Sequence, residues 1–91
     1  MLYLLISSPQ PSKPEDVKNA RVEFRTWIDE LKAKGKVLHF YYRVGRGIAA
    51  VLDVASNDEL HAIMTRWSNI VPVRFDVYPL VSAESAQEAL K

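Results

Sequence analysis

The chain has 91 residues, room for one domain and not for two. Twelve basic and eleven acidic side chains leave a formal charge of +1, without the basic excess of a dedicated nucleic-acid binder. There is no cysteine, so disulfides and thiolate metal sites are excluded, and association with another copy is the remaining common support for so small a core.

Met1 to Ile6 is apolar, but the run stops at Ser7-Ser8-Pro9, too short for a signal peptide or a membrane span. It predicts a first strand over residues 2–7. Ser12-Lys13-Pro14-Glu15 reads as a capping box with proline in the first helical turn. A helix follows to about Lys34 and stops at Gly35, with Val17, Ala20, Phe24, Trp27, Ile28 and Leu31 on one stripe. Lys36 to Val44 is β-rich, Gly45-Arg46-Gly47 is a short loop, and Ile48 to Val54 is a second β-rich run, which together predict a hairpin. Ser56-Asn57-Asp58-Glu59 is a second capping box, opening a helix whose stripe is Leu60, Ile63, Met64 and Trp67. Val73 to Tyr78 alternates as a fourth strand closed by Pro79, and Ser82 to Lys91 has helix-forming composition.

The order is β-α-β-β-α-β, the ferredoxin-like α+β pattern: a four-stranded antiparallel sheet with two helices on one face. Residues 1–81 form the domain and 82–91 a tail. A three-residue loop at 45–47 pairs Phe40 with Leu52 and His39 with Asp53, and puts an apolar set under the helices. With Tyr3, Leu5 and Ser7 assigned to the other side, the helix-free face carries Tyr3, His39, Tyr41, Arg43, Asp53, Arg74, Asp76 and Tyr78. Such a face is either solvated or closed by the same face of a second copy, and its mixture of aromatic and charged groups favours closure into a homodimer.

On that face His39 beside Asp53 has two readings. The carboxylate would orient the imidazole as a general base, or the two would form an ordinary cross-strand contact. Arg43 and Arg74 would clamp a substrate carboxylate, or pair with Asp76 and Asp53. Tyr3, Tyr41 and Tyr78 would line a pocket or fill an interface. Trp27 and Trp67 belong to the core. Gly45-Arg46-Gly47 lacks the length and following helix of a phosphate loop. Two distant histidines do not make a zinc site. The third strand has none of the aromatics that RNA-recognition domains of this fold order need. The expectation is a protein with no cofactor, no membrane contact and no nucleic acid, in a cytoplasmic setting.

Gly45-Arg46-Gly47-Ile48-Ala49-Ala50-Val51-Leu52-Asp53-Val54, followed by Ser56-Asn57-Asp58-Glu59-Leu60, resembles the muconolactone isomerase-like family. Val77-Tyr78-Pro79-Leu80 and the stretch from His39 to Gly45 are similar to it as well. Trp67-Ser68-Asn69-Ile70-Val71-Pro72 departs from the family's Leu-Pro segment and is closer to a small bacterial family of unassigned function in the same dimeric α/β barrel superfamily. The first resemblance implies a cofactor-independent isomerase acting by proton transfer on a small carboxylated or lactone-like metabolite, with His39 and Asp53 catalytic. The second leaves a non-catalytic ligand-binding or structural dimer. Both imply the barrel dimer.

Overall fold

The computed structural model describes residues 1–11 and 14–90, with side chains for 1–11 and 18–90. In chain order the elements are β1 (Leu2–Pro9), α1 (Pro14–Ala33), β2 (Val37–Tyr42), β3 (Ile48–Asp53), α2 (Asn57–Ile70), β4 (Val73–Leu80) and α3 (Ala83–Glu88). The strands form one antiparallel sheet in the order β2-β3-β1-β4, which is the ferredoxin-like arrangement. The two central strands are therefore β3 and β1.

Local chemistry explains the boundaries. At the end of α1, Gly35 has φ +74. The Lys36 amide donates to the Leu31 carbonyl and the Gly35 amide to that of Lys32, both at 3.0 Å, a Schellman closure of the last turn. Ser56 Oγ accepts from the Glu59 amide at 3.1 Å, so the second capping box is formed. The first rests on Ser12 and lies outside the described residues. β4 runs two residues past the predicted stop, through Pro79. It is an edge strand, where a missing amide donor is tolerated.

The core lies between the sheet and the helices. Phe24, Ile28 and Leu31 of α1 and Leu60, Ile63, Trp67 and Ile70 of α2 are buried against Leu5, Ile48, Ala50 and Leu52. Trp67 is 1% exposed and sits at the centre of an aromatic cluster, 5.0 Å from Phe24 and 5.2 Å from Phe75 between ring centroids. Each such pair adds about 0.5–1.5 kcal/mol beyond its burial. Trp27 is half-buried at the edge of the same cluster.

Two sequence expectations are corrected by the sheet. Tyr3, Leu5 and Ser7 belong under the helices, not on the open face: all three are buried, while Leu2, Leu4 and Ile6 take the other side. A uniformly apolar strand carries no phase of its own, and pairing with β3 sets it. The hairpin register is also displaced. Tyr42 pairs with Ile48, Phe40 with Ala50, and His39 with Val51, two residues from the predicted partners. The connection spans residues 43–47 and is closed by the Arg43 amide donating to the Gly47 carbonyl at 2.9 Å. Because the slip is even, Phe40 and His39 keep their predicted faces. A bulge at Leu38 then turns Val37 inward against Leu52 and leaves Leu38 half exposed. Val44, which a three-residue loop would pair with Ile48 under the helices, is fully exposed in the loop.

Candidate functional site

Two surfaces compete for function. The first is the open face of the sheet, where the register sets rows across the strands. His39, Val51, Leu4 and Tyr78 form one row, and Tyr41, Ala49, Ile6 and Asp76 the next. Asp53, Leu2 and Leu80 lie beyond His39, and Ser8 with Arg74 lies at the opposite end. His39 is exposed and its ring lies parallel to that of Tyr41, with centroids 6.3 Å apart.

The predicted His39–Asp53 cross-strand pair is therefore not formed. The two share a face, but Val51 stands opposite His39, and Asp53 Oδ1 lies 3.3 Å from the Met1 amino group. Arg74, Asp76, Tyr41 and Tyr78 are on this face as predicted and all are exposed. Tyr3 and Arg43 are not. The Tyr3 hydroxyl points into the helix layer and donates to Asn57 Oδ1.

The second surface is concave. A cleft of about 570 Å³ opens between the helices and the sheet at the end where β1 stops, the hairpin turns, α2 ends and β4 begins. Antiparallel pairing puts these segments together: Ser7 is opposite Ile48 on one side and Phe75 on the other, and the Gln10 amide donates to the Pro72 carbonyl at 3.0 Å. Tyr42, Ile48 and Val73 line the sheet side, and Phe24, Trp67 and Ile70 the helix side. Around them stand Arg21 and Arg25 from α1 and Arg43 and Arg46 from the hairpin.

Arg43 is held in place. Its Nη1 donates to the Ser7 carbonyl at 3.2 Å and to Ser8 Oγ at 3.1 Å. The hairpin comes this close to β1 because residue 47 has no side chain: Gly47 has φ +103, and a Cβ there would stand 2.3 Å from the Ser7 carbonyl oxygen. The loop that displaced the register is thus what frees Arg43 from the sheet and delivers it to the cleft.

A family model described as "Domain of unknown function (DUF3303)" matches residues 1–91. The chain belongs to this family. No curated protein matches the DUF3303 chain. No helix of the DUF3303 chain is long and apolar enough to cross a membrane among the described residues, and there no three His, Asp or Glu side chains gather into a group that could hold a metal.

Of the cleft arginines, only Arg43 was singled out from sequence. A signal for the others was present. Arg21 and Arg25 are four residues apart on one helix and so share a face, and the β-α-β order brings the first half of α1 to the hairpin end of the sheet. Among the described residues, a titrating group clearly moved by its surroundings lies elsewhere. The Lys36 ammonium, 2.9 Å from Glu59 Oε1, holds the Glu59 carboxyl below the usual carboxylate range by hydrogen bonding, against some desolvation, with further help from charge attraction and the Ala55 backbone.

Proposed function

We propose that this protein is a small-molecule-binding domain whose ligand occupies the cleft between the helices and the sheet, without catalysis by a His39–Asp53 pair. The observation that carries the reading is the cleft: an apolar interior with a few convergent polar groups, in the size range of ordinary ligand sites. Proton transfer at His39, the chemistry implied by the isomerase resemblance, would have to run on an exposed imidazole whose cross-strand neighbour is Val51. Amide shifts in a soluble-fragment titration test the reading. Gln10, Arg21, Gly45 and Val71 should move together. Shifts confined to His39, Tyr41 and Tyr78 would overturn it in favour of the open face.

The open face favours a second proposal, on assembly: two copies pair through it. Leu2, Leu4, Ile6, Ala49 and Val51 make a half-buried apolar strip flanked by exposed Tyr41 and Tyr78. The same face holds Arg74 together with Asp53 and Asp76, so a two-fold copy can present acids to bases. Light scattering at micromolar concentration should give a dimeric mass that Val51→Lys reduces to a monomer. A folded, monomeric wild-type chain at that concentration would end the dimer proposal and leave the cleft intact.

A further inference from the structure

From the charge around the cleft we infer that its ligand is an organic oxyanion, a phosphate ester or a carboxylate, carried on an apolar body. The inference rests on the cleft being the binding site and names what it selects. Four of the twelve basic residues of a nearly neutral chain line this one concavity. Among the described residues no carboxylate lies within ion-pair distance of Arg21, Arg25, Arg43 or Arg46. The acidic neighbour one turn along α1, Asp29, is 4.0 Å from Lys32 instead. Lys36 and Arg66, by contrast, each lie beside a carboxylate, of Glu59 and of Glu23 respectively.

Unneutralised guanidiniums crowded at a partly enclosed, apolar-walled site raise the local positive potential and disfavour one another. An oxyanion relieves both. Guanidinium forks match the paired oxygens of carboxylate and phosphate, and a fork fixed in advance loses less freedom on binding. Arg43 is such a fork. Both of its hydrogen bonds use Nη1, which leaves Nη2 and Nε as donors. The body of the ligand is set by the walls. Tyr42 offers the exposed aromatic ring, with Ile48 and Val73 beside it, while Phe24 and Trp67 are buried beneath the helix side and keep that wall apolar.

Calorimetric titration of the whole chain with three matched probes tests this: 1-naphthyl phosphate, 1-naphthoate and neutral 1-naphthol at low salt. At least one anion should bind about tenfold or more tightly than naphthol, and the tighter of the two assigns the headgroup as phosphate or carboxylate. Arg25→Gln and Arg46→Gln, both on exposed side chains, should each weaken the anion by about three- to tenfold and leave naphthol unchanged. Equal binding of all three probes would overturn the oxyanion assignment while leaving the cleft as a binding site. No binding by any probe at millimolar concentration, together with no cleft shifts from fragments, would overturn both. Tighter binding of a short single-stranded RNA than of either anion, with shifts at the same residues, would replace the small ligand with a polymer.

Discussion

Gly47 and Ser7 meet so closely that a single methyl group on the first would stand 2.3 Å from the carbonyl oxygen of the second. This contact ties the hairpin to β1 and, through it, sets where Arg43 reaches. Gly47→Ala should therefore cost more than a strained backbone alone. Left-handed geometry costs about 1–2 kcal/mol for a non-glycine residue, and displaced backbone adds to that. Gly45→Ala is the control: its φ is +98 but a Cβ there meets nothing within 4 Å. Urea denaturation should show Gly47→Ala losing at least about 1 kcal/mol more than Gly45→Ala. Equal losses would mean that the contact with Ser7 relaxes at no cost.

The Lys36–Glu59 pair predicts an acid limb. The folded pKa of Glu59 lies below its unfolded value, so the unfolded chain takes up the proton first as pH falls. The stabilisation is fully present above the unfolded pKa of about 4.3 and is lost as pH drops through the lower folded value. Thermal melts between pH 6 and pH 3 should show the wild type converging on Glu59→Gln at the acid end. A constant difference across the range would remove the pair as the cause.

Tyr3 now carries a structural expectation. It is buried, and its hydroxyl reaches Asn57 at the start of α2, tying β1 to the helix that follows β3. Tyr3→Phe should lose about 0.5–1.5 kcal/mol of stability, the net value of one hydrogen bond. The dimer mass should not change, because the side chain lies under the helices. Dissociation of a wild-type dimer by this substitution would place Tyr3 at the interface after all.

His39 and Asp53 should behave as independent sites. In a double-mutant cycle of His39→Ala and Asp53→Ala, the coupling should lie within about 0.3 kcal/mol of zero. Proton–proton cross peaks should connect the His39 ring to the Val51 methyls. A coupling near 1 kcal/mol, with no such cross peaks, would restore the three-residue loop and its register.

The fold was legible in the sequence because its punctuation is local. Gly35, the Ser56–Glu59 box and the alternation of Val73 to Tyr78 each act within a few residues, and each does in the structure what its chemistry predicts. Phase in β1 was not legible, since Leu2, Leu4, Leu5 and Ile6 offer no polar residue to mark the wet side. The register of β2 was not legible either. It depends on the Arg43–Gly47 closure and on the tolerance of β1 for a glycine pressed against it, a contact between residues far apart in the chain. The site followed the register. A side chain assigned to a strand turned out to belong to the loop, and the surface it serves moved from the open face to the cleft.

The bulge at Leu38 has an effect at the rim of the sheet. β2 and β4 are the two outermost strands, and outermost strands left straight invite other chains to extend the hydrogen-bonded ladder. Here the ladder of β2 is kinked at Leu38, and that of β4 lacks a donor at Pro79. Both borders are thus protected against runaway strand addition, so fibrous growth is discouraged while stacking of whole sheets is left open.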